Sequence, residues 1–198
     1  RQHSSEYTIE MLKYLNKKFN INWFIFQDSL INANLEKLEK LCILMIDKLP
    51  NMKWEAQIYI RNDMPIELFK LLKKAGCYNL FVGLESGSDY ILQKMNKRFD
   101  TNTAINFFKK CKLADLHFEI SLIIGHPFET KKTIDDTKKF LIKNSDLIPK
   151  IAQINPYIYY EFSDISKDDL TPLDFDVNQE INDILNIAND CKIRYTKA

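Results

Sequence analysis

The sequence predicts an α/β fold on a parallel sheet: a partial (β/α) barrel of about five strands with helices outside. Three observations predict it. Short β-prone runs alternate with helical periodicity at intervals of about 25 to 40 residues, the spacing of βα units joined by right-handed crossovers. The first such run, Trp23-Phe24-Ile25-Phe26, lacks apolar/polar alternation, the pattern of a parallel strand buried on both faces. Polar residues stand at one end of each strand: Asp28, Arg61 and Asp63, Glu85 and Ser86, His126, Asn155 and Tyr157. Parallel strands gather those ends on one edge, where barrels and open α/β sheets both place their sites. About five strands fall short of the eight of a closed barrel, and an open doubly wound sheet is the rival arrangement.

Each element has its own signal. Ser4-Ser5-Glu6 offers an N-cap, and Tyr7, Ile9, Leu12 and Leu15 give a stripe for a helix to about Phe19. After the strand at Trp23–Phe26, Leu35, Leu38, Leu41, Cys42, Met45 and Leu49 have helical spacing, closed by Pro50-Asn51. Trp54 to Ile60 reads as the next strand. Pro65 opens a helix carrying Ile66, Phe69, Leu72 and Ala75, and Gly76 fits a left-handed stop. Tyr78 to Leu84 is a third strand, followed by two helices, Tyr90 to Met95 and Thr101 to Leu113. Phe118 to Ile124 is the fourth strand, with a helix through Ile134, Thr137, Phe140 and Leu141 to about Asn144. Ile151 to Ile154 opens a fifth. Tyr157 to Leu173, with Tyr159, Tyr160 and Phe162, fits either a strand extension or an aromatic loop, and a last helix spans about Val177 to Arg194.

Composition bounds the class. The chain has 198 residues, 45% hydrophobic, with four glycines and six prolines, which excludes disorder and collagen-like or linker-dominated organisation and favours one domain over residues 1–198. Basic and acidic residues balance at 28 to 27, so no global field draws in nucleic acid or an anionic membrane; a local patch such as Lys94, Lys97 and Arg98 is the remaining basis for RNA. No apolar run of about 18 residues and no signal-peptide pattern occurs, so the expectation is a cytoplasmic protein without a membrane partner. Cys42, Cys77, Cys111 and Cys191 match no zinc or CxxC spacing and read as reduced and mostly buried. Arg1 opens directly on a helix start, so the chain reads as a piece of something longer.

The segment Gly83-Leu84-Glu85-Ser86-Gly87-Ser88 is the most informative. A glycine admits ligand close to the backbone, a carboxylate accepts hydrogen bonds from a ribose diol, and hydroxyls with freed N–H groups bind a carboxylate or phosphate. The same pattern also fits an ordinary strand-to-helix turn with a capping serine.

Taken together, several segments resemble the radical S-adenosylmethionine enzymes, in particular the group that often carries an N-terminal cobalamin-binding domain. They are Ser4-Ser5-Glu6-Tyr7, Phe24-Ile25-Phe26-Gln27-Asp28, Trp54 with Arg61 and Asp63, and Ala75-Gly76-Cys77. Gly83 to Ser88 with Asn96-Lys97, and Ile124-Gly125-His126-Pro127-Phe128-Glu129-Thr130, complete the set, which covers roughly residues 4 to 157. The resemblance implies the C-terminal part of a radical S-adenosylmethionine partial barrel. In the intact protein a [4Fe–4S] cluster would cleave S-adenosylmethionine reductively, giving methionine and a 5′-deoxyadenosyl radical, with cobalamin carried, where used, on a separate domain.

It also implies cofactor-binding residues: Glu85, Ser86 and Ser88 at the ribose and methionine end, the turn of Gly125, His126 and Pro127 beside the adenine, and Arg61 toward the methionine carboxylate. Arg61 and Asp63 also fit a surface pair, and Glu129 is expected to cap the helix starting near Thr130. His126 stands where the family usually has an apolar residue, which disfavours a metal or acid/base role. The family's CxxxCxxC motif is absent, so no cluster is expected on the cysteines of this chain. Phe128 stands where glycine is usual, and Ile158-Tyr159-Tyr160 replaces the usual Pro-Gly-Thr. Since the motif and first barrel strand belong before Arg1, the strand at Trp23–Phe26 is expected to have an open edge prone to self-association. The alternative to the enzyme is a non-catalytic α/β module binding a nucleotide-like ligand or a protein partner.

Overall fold

The computed structural model describes residues 3–161 and 172–196. Its elements are α1 (Ser5–Phe19), β1 (Trp23–Phe26), α2 (Leu35–Lys48), β2 (Lys53–Ile58), α3 (Ile66–Lys74), β3 (Cys77–Glu85), α4 (Asp89–Lys94), α5 (Thr101–Leu113), β4 (Phe118–Ile124), α6 (Lys131–Lys143), β5 (Lys150–Pro156), α7 (Val177–Asp190) and β6 (Arg194–Tyr195). The strands follow sequence order, β1-β2-β3-β4-β5-β6, and the registered pairs are parallel. The parallel α/β fold expected from the sequence is therefore present. The chain groups into two compact units, residues 1–82 with 106–118, and residues 83–105 with 119–198.

In the first unit, Ser4 caps α1 by accepting the Tyr7 N–H, and Asn20 ends it at φ 54°. Asn34 caps α2 through the Lys37 N–H. Trp54 of β2 is fully buried, and its indole N–H donates to the Ala75 carbonyl at 2.9 Å. Gly76 is obligatory at this corner: its φ is +88°, and a Cβ would lie 2.0 Å from the Met52 carbonyl oxygen. Phe69, Phe107, Phe108 and Phe118 are buried in the same unit, with Phe69 edge-on to Phe107 and Phe108 stacked on Phe118.

In the second unit, β4 alternates buried and half-buried residues. Thr130 caps α6 with a capping box to Thr133, and Asp176 caps α7 through the Gln179 N–H. Glu180 of α7 is buried and ion-paired with Lys131 and with Lys138 of α6 at 2.7 Å.

Four expectations change. β1 is not buried on both faces: Trp23 and Ile25, which share one face of the strand, are 48% and 43% exposed, while Phe24 and Phe26 on the other face are half-buried. A sixth strand, β6, pairs with β5 at Lys150 and Ile151. To reach it, α7 stops at Asp190 rather than Arg194, and Lys192 takes φ 59°. β5 extends through Pro156, and the Tyr157 N–H donates to the Ile124 carbonyl at 2.7 Å. Phe162 and the rest of 162–171 lie outside the described residues. No helix among the described residues is long and apolar enough to cross a membrane.

Candidate functional site

The polar group expected after β3 is held in one arrangement. Glu85 is the last residue of β3 and sits at φ 67°, a left-handed conformation that a residue with a Cβ rarely adopts. Each carboxylate oxygen takes one donor: Lys97 Nζ reaches Oε1 at 3.2 Å, and Ser121 Oγ reaches Oε2 at 3.1 Å. The carboxylate is largely enclosed, with 14% of the side chain exposed. Gly83 makes this fold-back possible, since a Cβ there would lie 2.4 Å from Glu85 Oε1. The sequence suggested that Gly83 leaves room for a ligand. The structure shows that it leaves room for the protein's own carboxylate.

Ser86 and Ser88 face inward. Ser86 is fully buried, its hydroxyl 3.1 Å from Thr137 Oγ1 of α6 and accepting the Ser88 N–H at 3.1 Å. Gly87 donates its N–H to Thr137 Oγ1 at 3.0 Å, and a Cβ on Gly87 would lie 2.6 Å from Phe140 Cβ. Ser88 is the N-cap of α4 without a side-chain cap bond. These contacts fix the turn against α6. Thr137 was read as part of the buried stripe of its helix; nothing local to it in sequence indicates that it anchors residues about 50 positions away.

After β4, Gly125 sits at φ 92°, where a Cβ would lie 2.9 Å from Val177 Cγ2. His126 is 1% exposed, with its ring edge-on to Tyr157 at 5.3 Å, and its Nδ1 accepts the Phe128 N–H at 3.3 Å. Burial, and secondarily the charge of Lys94, pushes the imidazole pKa down. Pro127 is buried. Phe128 carries Lys94 Nζ 4.4 Å from its ring centroid.

Glu129 does not cap α6. Thr130 does, and Glu129 instead folds back to accept the Gly125 N–H on Oε2 at 2.6 Å. The reason is reach: Glu129 precedes the cap, and Gly125 turns its N–H toward the carboxylate. Its other oxygen, Oε1, is buried without a hydrogen-bond partner among the described residues. Burial pushes the pKa of this carboxyl up to about 7, against the Gly125 and His126 N–H groups that lower it.

Arg61 lies in the first unit. Its guanidinium forks onto Asp63, Nε to Oδ1 at 2.8 Å and Nη2 to Oδ2 at 2.6 Å, while Nη1 donates to the Asn32 carbonyl at 2.6 Å. The fork holds the Asp63 carboxyl below the usual carboxylate range. The pair with Asp63, the alternative reading of Arg61, is present.

The cysteines do not fit an iron–sulfur cluster. Cys42, Cys77 and Cys111 are buried, and burial pushes their thiols up, Cys42 to about 12. Cluster ligands must be thiolates. No group of three or more His, Cys, Asp or Glu side chains among the described residues could hold a metal ion.

A parallel sheet whose strands follow sequence order and alternate with helices places the chain in the (β/α) class. The chain belongs to the Radical SAM superfamily, whose profile matches residues 1–141. It is 29% identical over 143 residues to an uncharacterized methyltransferase of Pyrococcus horikoshii, covering 72% of this chain and 31% of that protein. The chain thus spans about a third of that relative's length. The fold is similar to coproporphyrinogen III oxidase (HemN) of Escherichia coli, described as a radical SAM enzyme, with a TM-score of 0.69 at 12% identity over 96% of this chain and 47% of that one. It is also similar to the radical S-adenosylmethionine methyltransferase TsrM of Kitasatospora setae, solved with cobalamin and a [4Fe-4S] cluster bound, with a TM-score of 0.66 at 15% identity over 78% and 31%.

Proposed function

We propose that this chain is part of the catalytic domain of a radical S-adenosylmethionine enzyme and that its second unit carries a site for the adenosyl group. The observation that carries this reading is Glu85, clasped from both sides at the end of β3 within the family-matched residues. A fixed carboxylate at that edge accepts hydroxyl donors, and the Gly125 turn ends the next strand in the sheet order. Arg61 stays a candidate for the methionine carboxylate, in competition with Asp63. Ser86 and Ser88 contribute by fixing the turn that presents Glu85.

In the intact protein a [4Fe–4S] cluster would supply the electron for reductive cleavage of the sulfonium. Its thiolates would come from sequence outside these 198 residues, since Cys42, Cys77, Cys111 and Cys191 lack the CxxxCxxC spacing of the cluster motif. Cobalamin on a separate domain belongs to the same proposal. Family membership favours the enzyme over a non-catalytic module.

The test has two parts. This chain should bind S-adenosylhomocysteine, with saturation transfer to the adenine protons in ligand-observed NMR. A longer polypeptide, reconstituted with iron and sulfide and reduced, should form 5′-deoxyadenosine and methionine. An intact cluster without 5′-deoxyadenosine would sink the catalytic reading.

A further inference from the structure

We propose that the cleft between the Gly87–Ser88 turn, the start of α5 and the outer side of α6 is a binding site for a small organic anion, an aromatic or apolar body carrying one phosphate or carboxylate group. The cleft has a volume of about 420 Å³, inside the range of roughly 300 to 1,000 Å³ of small-molecule sites. Its lining lies wholly in the second unit and contains none of Glu85, Gly125 or His126. The inference therefore stands apart from the adenosyl-site reading. The floor is fixed in advance, because the Gly87 N–H is held by Thr137 Oγ1 at 3.0 Å and Gly87 packs directly on Phe140.

Two buried polar side chains at this cleft keep unused hydrogen-bonding capacity. Ser88 is 3% exposed, makes no cap bond to α4, and its hydroxyl has no hydrogen-bond partner among the described residues. Asn144 is 6% exposed and uses one end of its amide on the Phe140 carbonyl at 2.8 Å, while the other end has no partner among the described residues. Buried polar side chains are in the large majority hydrogen-bonded, so two such groups lining one cleft point to something bound there that pairs with them. The walls supply apolar surface: half-exposed Tyr90, half-buried Ile105 and buried Phe140. The charge follows from α6. Lys139 and Lys143 stand one turn apart on it, both exposed and neither ion-paired among the described residues. Asp89 gives Oδ1 to the Thr101 N–H at 2.7 Å, which leaves Asp136 as the uncommitted carboxylate of the lining against two lysines. An excess of cations beside apolar walls, over a floor of hydroxyl and amide, suits an anion on an apolar body rather than a bare ion or a hydrocarbon.

The test titrates phenyl phosphate, inorganic phosphate and benzyl alcohol into the isotopically labelled chain and follows its amide resonances by NMR. Phenyl phosphate should give saturable shifts at Ser88, Tyr90, Lys139 and Asn144. It should bind at least about tenfold more tightly than inorganic phosphate, which lacks the ring, or benzyl alcohol, which lacks the charge. Replacing both lysines, Lys139→Gln with Lys143→Gln, should weaken phenyl phosphate by about fivefold or more. Lys132→Gln, which removes an exposed lysine of the same helix outside the lining, should not. Ser88→Ala should weaken binding by about fivefold and leave the urea unfolding midpoint unchanged, because the hydroxyl it removes bonds nothing among the described residues. The absence of saturable shifts at these four amides overturns the inference. So does inorganic phosphate or benzyl alcohol binding as tightly as phenyl phosphate, or an affinity unchanged in the double lysine variant. A midpoint lowered by Ser88→Ala places the hydroxyl in the protein's own bonding and overturns its role in the site.

Discussion

Replacing Glu129 by glutamine removes one proton-binding site from the interior and should change how stability depends on pH. Glu129 is 3% exposed, accepts the Gly125 N–H at 2.6 Å, and leaves Oε1 without a hydrogen-bond partner among the described residues. Burial is the main cause of its raised pKa, about 7 against an ordinary 4.5, and the charge of Glu180 adds to it. A carboxyl that binds its proton more tightly in the folded chain costs no stability below pH 4.5. Its destabilising contribution grows as pH rises from 4.5 to about 7 and is constant above that. At about 1.36 kcal/mol per pH unit, the interval corresponds to about 3 kcal/mol. Glu180, Lys131, Lys138 and His126 also titrate or carry charge in this region. They are common to both proteins and largely cancel in the difference. Urea unfolding of wild type and Glu129→Gln at pH 5, 6, 7 and 8, at constant ionic strength, gives that difference. The glutamine variant should gain on wild type by about 2 to 3 kcal/mol between pH 5 and 8, whatever its absolute level. A difference flat to within about 0.5 kcal/mol would refute the buried proton.

Three further outcomes are expected. Gly76→Ala should destabilise the chain by about 3 kcal/mol or more in urea melts, because φ is +88° and the new Cβ meets the Met52 carbonyl; a loss below about 1 kcal/mol would mean that the corner relaxes. Thiol labelling at pH 8 should modify the half-buried Cys191 rapidly and Cys42, Cys77 and Cys111 only on unfolding. Anaerobic reconstitution of this chain should accordingly give no stoichiometric [4Fe–4S] absorbance, and rapid labelling of a second thiol or a full cluster signal contradicts the reading. The β1 edge, with Trp23 and Ile25 exposed, should self-associate, and Ile25→Lys should weaken the association; a wild-type monomer by sedimentation at high concentration, with rapid amide exchange over 23–27, refutes it.

What the sequence made legible follows the range of the signals. Ser4, Asn34, Thr130 and Asp176 cap the helices they precede, through bonds spanning three residues. Gly76 was readable for the same reason, since a helix stop is local. The clasp on Glu85 was not. Its donors lie 12 and 36 residues away, and a lysine after a helix or a serine in a strand has no pattern of its own. The run Trp23–Phe26 does not report its burial because an unalternating pattern cannot say whether a layer covers each face, and Trp23 and Ile25 stand on the uncovered one. β6 escaped because two residues carry no periodicity. Glu129 was assigned to the nearest helix end because the fold-back to Gly125 depends on the glycine's left-handed turn.

The two strand ends that carry the candidate site solve one geometric problem in different ways. At Gly125 the chain turns through a left-handed residue at little steric cost, and the packing of Val177 against the missing Cβ shows why glycine stands there. At Glu85 the same left-handed turn falls on a residue with a side chain, where it carries a cost on the order of 1 to 3 kcal/mol. Glycine at position 85 would relieve that cost. A carboxylate kept there, gripped by Lys97 and Ser121 and given room by Gly83, is what a binding role for Glu85 requires and what turn geometry alone does not. The strain thus separates the two ends: Gly125 follows the backbone path at little cost, and at Glu85 a side chain held by Lys97 and Ser121 stands on a turn that glycine would make with less strain.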